Sequence, residues 1–343
     1  MSTLIDDVGS FPLPPTVSPK DFNQAYRLAR KTILNNKGIR GDSFLWENFG
    51  RVTVDAFKKK NLTGLDVVNY PQQYDGMKQV NEVIHSAMEN GTFTVEEKEA
   101  FLPEVELLKS EAERISEEIG GKIRLRVCLF GPMEQYLKEI GTIFYDDVLN
   151  GFAETIRRFG KNAVLNDKRI RTEIVSIDEP SFGFLDIAAD RERLIQVLDK
   201  AFDFSGAVKQ IHLHSSSRLA DCLDVKNIDV VSIEGAASPR NVDAVSKKML
   251  DEANKQMRVG VSRTDIDSLL AELSDRGVSK PTIEQMVESK EAIRKRFVGV
   301  KKKFGERLAF AGPDCGLGSW PTEDSALLLL KRTVEAIRSA QTL

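Results

Sequence analysis

Two histidines two residues apart, His212 and His214, close an apolar run that begins near Val208. On an extended strand, residues i and i+2 point to the same side, so both imidazoles can face one point. The chain holds 3 histidines in all, and two of them stand here. A second run, Val230–Ile233, ends at Glu234, and a third, Leu308–Ala311, leads into Pro313-Asp314-Cys315-Gly316. Two ring nitrogens, a carboxylate oxygen and a thiolate sulfur make a donor set that suits Zn2+. Each residue also has an ordinary reading. The histidines can be hydrogen-bonded in a core or on a surface, the acid can cap a helix or pair with an arginine, and the cysteine can be a small buried residue. Taken jointly at strand ends, His212, His214, Glu234 and Cys315 read as a metal site.

That reading needs a fold that brings three strand ends together. Eight β-rich runs alternate with helical ones: Leu4–Val8, Leu65–Asn69, Ile123–Phe130, Ile174–Ile177, Val208–Leu213, Val230–Ile233, Met257–Val261 and Leu308–Ala311. Alternation of this kind predicts a parallel sheet. Eight strands close a (β/α)8 TIM barrel of the α/β class. No G-x-G-x-x-G or P-loop follows any of the runs, which removes the commonest open-sheet rivals. Two segments, Phe11–Gly64 and Thr264–Val298, exceed what one barrel connection needs and predict helical insertions, the first lying over one end of the barrel. Phe22–Asn36 is amphipathic. Thr94-Val-Glu-Glu97 matches a capping box and predicts a helix running toward Glu118, kinked or split at Pro103. The expectation is one domain over residues 1–343, with the active face at the carboxyl ends of the strands.

The remaining strand ends carry polar or turn-forming residues too. The first run leads into Gly9-Ser10-Phe11-Pro12, the third into Gly131-Pro132 and the fourth into Asp178-Glu179-Pro180. Arg240 and Arg263 follow the sixth and seventh runs and are candidates for a substrate carboxylate. The 343 residues are 41% hydrophobic and 29% charged, with a formal net charge of -3 and both signs mixed, so no nucleic-acid footprint stands out. No apolar stretch approaches the roughly 20 residues that cross a bilayer, and the first residues carry no signal pattern. Three widely spaced cysteines, Cys128, Cys222 and Cys315, give no disulfide framework. A cytoplasmic enzyme is expected.

In order along the chain, these motifs resemble the catalytic barrel of the cobalamin-independent methionine synthase family. That family binds one zinc through an H-x-C pair, a glutamate on the next strand and a late D-C-G motif. Ile211-His212-Leu213-His214, Val231-Ser232-Ile233-Glu234 and Pro313-Asp314-Cys315-Gly316-Leu317 stand in those places, with Ile177-Asp178-Glu179-Pro180 for its I-D-E-P motif and Gly9-Ser10-Phe11-Pro12 for its G-S-F-P motif. The resemblance implies zinc bound by His212, Glu234 and Cys315. It implies Asp178 holding the amino group of homocysteine and the Gly9-Ser10 turn its carboxylate. Asp178 and Glu179 read as the catalytic acidic pair, Asp178 touching the substrate and Glu179 standing behind it; their ordinary reading is a strand-end pair that holds loop backbone. The length matches the short, single-barrel, archaeal-type form. That form implies methyl transfer to homocysteine from a methylated corrinoid protein, with methyl-tetrahydrofolate or a methyl-tetrahydropterin as the second donor.

The chain departs from the family at three places. His214 replaces its first thiolate ligand, Asn69–Asp75 replaces a second-strand acid, and Gly260–Asp265 lacks its strand-seven histidine. The rival readings are methyl transfer to another thiol such as coenzyme M, a uroporphyrinogen decarboxylase-like barrel without zinc, and a binding protein with a degenerate site.

Overall fold

In the computed structural model, which describes residues 2–342, eight parallel strands alternate with helices. They are β1 (Leu4–Ile5), β2 (Val68–Asn69), β3 (Ile123–Phe130), β4 (Ile170–Asp178), β5 (Val208–Leu213), β6 (Val230–Ile233), β7 (Gln256–Ser262) and β8 (Leu308–Pro313). Pairing runs in the order β1-β8-β7-β6-β5-β4-β3-β2, and a parallel bridge from Asp6 to Val67 brings β1 back to β2. The fold is a (β/α)8 barrel of the TIM type.

The strands expected at Ile123–Phe130, Val208–Leu213 and Val230–Ile233 form over those residues. The first two strands are shorter than their apolar runs because carboxylates take over from the ladder at the closing seam. Asp66 accepts the Ile5 amide (2.8 Å) and Asp7 accepts the Asn69 amide (2.8 Å). Buried Lys60 then bridges the seam, 2.7 Å from both Asp7 Oδ2 and the Asn69 carbonyl. The fourth strand starts earlier than expected, at Ile170, since exposed Arg171 alternates with buried residues on its outer face.

The capping-box expectation at Thr94 fails. Residues Glu97–Glu99 make a single 3-10 turn, and the helix begins at Pro103. Proline fits the first helical position, where no partner for its missing N–H is required, and it holds Leu102 extended before it. Both predicted insertions are helical. Pro19–Leu34, Ser43–Leu45 and Arg51–Asn61 fill the first, and Ile266–Asp275, Ile283–Met286 and the start of Lys290–Phe304 fill the second. No helix among the described residues is long and apolar enough to cross a membrane.

Inward side chains stack in layers drawn from alternate strands. Val67, Ile174, Val230 and Phe310 form an apolar plug. The next inward positions hold Asp6, Arg126, Gln210 and Arg258, all fully buried. Asp6 pairs with Arg126 on one side and with Arg258 Nε (2.9 Å) on the other. Turned toward Arg126, the Gln210 amide oxygen accepts from both its terminal nitrogens at 2.7 and 2.9 Å. Beyond this ionic layer the inward positions become small or polar: Ser176, Ser232 and Gly312, then Cys128, His212 and Gly260. The narrowing of side chains opens the lumen toward the carboxyl ends.

A second buried polar chain lies beside the barrel. Glu104 accepts from Gln79 (2.7 Å), which accepts from the Tyr70 hydroxyl (2.9 Å). Burial pushes the Glu104 carboxyl up to about 8.

Two outcomes are expected. Asp6→Ala leaves two guanidiniums in the core without their carboxylate and should cost about 3–5 kcal/mol in denaturant unfolding; a loss below 1 kcal/mol would contradict the ionic layer. Glu104 holds a proton when folded that the unfolded chain gives up above its ordinary carboxyl range near 4.5. Its contribution is therefore complete below that value and is lost as the pH rises through about 8. Melting curves between pH 5 and 9 should show a smaller alkaline decline for Glu104→Gln than for the parent.

Candidate metal centre and pocket

His212 is the inward residue near the end of β5, and its Nδ1 lies 3.0 Å from the Ser232 hydroxyl on β6. That contact orients the ring and leaves Nε2 buried without a partner. His214 lies two residues on, with its ring 5.4 Å from that of His212. Its Nε2 is 3.5 Å from Cys315 Sγ and 3.5 Å from Glu234 Oε1. One donor atom from each of His212, His214, Glu234 and Cys315 falls within 4.8 Å of all the others. The four residues singled out from spacing thus converge on one point.

The donor set and the orphaned His212 nitrogen fit a metal ion of the zinc type. Electrostatics point the same way. Burial, then the neighbouring His214, Arg258 and Arg126, drives the His212 pKa well below its ordinary value, and burial lowers that of His214. Both rings are held in the neutral form that ligates metals. Burial pushes the Glu234 carboxyl up to about 8 and the Cys315 thiol up to about 12, each further raised by neighbouring acids. A dication at their common point would oppose these shifts and favour the carboxylate and thiolate forms that ligate metals.

The loops that carry the donors are held by backbone-directed side chains. Buried Asp314 accepts three successive amides of the loop after Glu234, from Gly235 and Ala236 (2.9 Å each) and Ala237 (2.7 Å). Cys315 follows Asp314 directly, so one carboxylate couples the carboxyl ends of β6 and β8. Asn241 donates to the carbonyls of His214 (2.8 Å) and Glu234 (3.2 Å). Sequence reasoning quoted Asp314 only as a neighbour of Cys315 and missed Asn241, since neither hydrogen-bond set has a local spacing signal.

A cavity of about 740 Å³ opens beside the cluster. His212, His214, Cys315, Asp178, Gly9, Ser10, Phe130 and Gln72 line it, and Pro19 and Asn23 at the start of the first inserted helix edge its mouth. That insertion does border the carboxyl end of the barrel. Asp178 accepts from the Ser176 hydroxyl (2.6 Å), and burial raises its pKa despite nearby Arg126. The Gly9-Ser10 turn packs on the last loop: the Ser10 hydroxyl accepts the Gly318 amide (3.1 Å) and its carbonyl the Leu317 amide (2.6 Å). Gly9 has φ +61° and meets the Gly316 backbone at 3.4 Å from where a Cβ would stand, so a side chain is disfavoured there. Gln72 reaches the cavity wall on a backbone with φ +44°, a strained conformation for a non-glycine residue that no spacing rule foretells.

Glu179 is placed differently. Fully buried, it turns away from the cavity and accepts the Met133 (3.0 Å) and Glu134 (2.7 Å) amides at the start of the helix Pro132–Glu139. Its geometry is that of a helix-holding residue, and a Cβ at Gly131 would stand 2.1 Å from its Oε1. Arg263 is committed to Asp265 and Glu272 at 2.7 Å each, and neither it nor Arg240 lines the cavity.

No family model matches the sequence, and no curated protein does. Among solved structures, a B12-independent methionine synthase from Shewanella sp. W3-18-1 in complex with selenomethionine is similar, with TM-score 0.58 and 13% identity over 100% of this chain and 98% of that one. The homocysteine methyltransferase MmuM from Escherichia coli gives TM-score 0.44 and 10% identity, covering 97% of this chain and 96% of that one. An endo-β-1,4-mannanase from Thermotoga petrophila gives 0.44 and 11%, covering 85% and 74%. The first likeness establishes the class, a (β/α)8 barrel; the other two are too distant to add to it.

A Cβ at Gly260 would stand 2.0 Å from Asp314 Oδ1 and 2.6 Å from its Cα. Gly260→Ala should therefore push Asp314 off the loop amides and cost about 1–3 kcal/mol. Unchanged thermal stability would show that Asp314 is held less firmly than its contacts indicate.

Proposed function

We propose that this protein is a zinc-dependent S-methyltransferase whose acceptor is homocysteine, built on one barrel over residues 1–343 and acting in the cytoplasm. The observation that carries the reading is the convergence of His212, His214, Glu234 and Cys315 at the mouth of the barrel, with one buried ring nitrogen lacking any partner. The strand-end motifs and the likeness to a methionine synthase structure holding selenomethionine support it.

His212, His214, Glu234 and Cys315 would hold the zinc. Bound there, zinc would lower the pKa of a substrate thiol so that it ionises near neutral pH. The protein's own part is placement. Asp178 would take the ammonium group of an amino-acid thiol and the Gly9-Ser10 turn its carboxylate, a reading supported by all three residues lining the cavity. Holding both ends of the substrate turns methyl transfer into an oriented displacement. The thiol proton passes to solvent, the sulfur lone pair forms the bond to the methyl carbon, and the donor leaves with the pair of the broken bond. Glu179 supports Asp178 by fixing the adjacent helix start rather than by touching substrate.

At about 740 Å³ the cavity exceeds a small amino acid and leaves room for the methyl-bearing group. The preferred donor is a methylated corrinoid protein, with a methylated pterin or folate second.

Purified protein should contain about one zinc per chain, lost in Cys315→Ser and His212→Ala, and should methylate homocysteine faster than coenzyme M from methylcobalamin. Zinc-free parent protein after reloading under reducing conditions would falsify the mechanism. Preference for coenzyme M would keep the chemistry and overturn the acceptor. Asp178→Asn should raise KM for homocysteine at least about tenfold, as loss of a charged contact predicts.

A further inference from the structure

The last ladder pair between β5 and β6 is Leu213 with Ile233. The next residue on each strand, His214 and Glu234, is a candidate ligand, and both lie past the point where sheet hydrogen bonds set the strand spacing. The side chain of Asn241, 8% exposed in the short helix Pro239–Asp243, takes over there. Its Nδ2 donates to the His214 carbonyl at 2.8 Å and the Glu234 carbonyl at 3.2 Å, and its Oδ1 accepts the Ser216 amide at 3.1 Å. All three side-chain hydrogen bonds go to the backbone of the two loops that carry the candidate ligands. None goes to a donor atom, so the residue does not ligate.

We propose that Asn241 is a positioning residue of the metal centre, a side-chain rung that continues the β5–β6 ladder by one residue and sets the separation of His214 from Glu234. This rests on the zinc reading above. Ligand orientation by such outer contacts is worth about 10–100-fold in metal affinity. A residue that merely stabilised the fold would lower melting temperature without changing how the metal is bound.

The test uses full-length protein loaded with Zn2+ or Co2+. Asn241→Asp keeps the size and the acceptor for Ser216 but turns an oxygen toward two carbonyls; Asn241→Ala removes all three bonds. Asn227→Ala is the control. It removes a comparable bond, Asn227 Nδ2 to the Asp199 carbonyl at 3.0 Å, from the loop preceding β6 at the other end of the barrel. Chelator competition should show zinc bound about 10–100-fold more weakly in both Asn241 variants, with altered Co2+ visible bands, and parent-like values in the control. Parent-like affinity and spectra in the Asn241 variants overturn the proposal while the metal site stands. An equal loss in Asn227→Ala also overturns it, since the effect is then general. A parent that binds neither metal stoichiometrically overturns both the proposal and the zinc reading.

Discussion

Asp6 lies between the guanidiniums of Arg126 and Arg258, and through them it ties β1, β3 and β7 together across the lumen. All three groups are fully buried, so none can exchange its partner for water. A buried pair of this kind adds little to stability against an apolar alternative, yet losing one member is costly. That asymmetry makes the layer a constraint: the strands must keep the register that satisfies it. The layer also sets the electrostatics above. The two arginines stand close enough to His212 to help keep its ring neutral, and they favour the charged form of Asp178 against its burial.

Above the ionic layer the barrel changes character because its inward residues shrink. Gly312 leaves no room for a side chain, since a Cβ would stand 1.9 Å from the Asp6 carbonyl, and Gly260 makes space for Asp314. The closed ladder ends at this level, and side chains directed at backbone continue it. Asn241 joins the ends of β5 and β6, Asp314 those of β6 and β8, and Ser10 those of β1 and β8. The four clustered residues of the candidate metal centre therefore rest on a ring whose upper edge is made by polar side chains, which can hold an irregular loop as a ladder cannot.

Much of this was legible in the chain. Apolar runs alternating with helical ones announce eight parallel strands, because a buried parallel strand needs apolar residues on both faces. The i, i+2 spacing of His212 and His214 places both on the inner face for the same reason that a pleated strand has a period of two. Glu234 and Cys315 could be added because all strands of a parallel barrel end on one side. One local signal failed: no helix starts at Thr94, where the Val95 amide donates to the Thr155 hydroxyl and the Val95 carbonyl accepts from Arg158 across the fold. The alternation of the strand end sends Asp178 to the cavity wall and Glu179 to a helix start.

By itself, then, the sequence determined the barrel and the strand ends at which His212, His214, Glu234 and Cys315 come together, since each follows from a period, a spacing or a strand end. Only the tertiary structure decided which side chains hold those donors in place. Asn241, Asp314 and Ser232 meet their partners across sequence separations of 27, 79 and 20 residues. It likewise decided that Gln72 reaches the cavity through a strained backbone and that Arg263 is spent on acids of its own connection. Contacts of this range depend on where the closed ring places one loop beside another, and no periodicity along the chain encodes that distance.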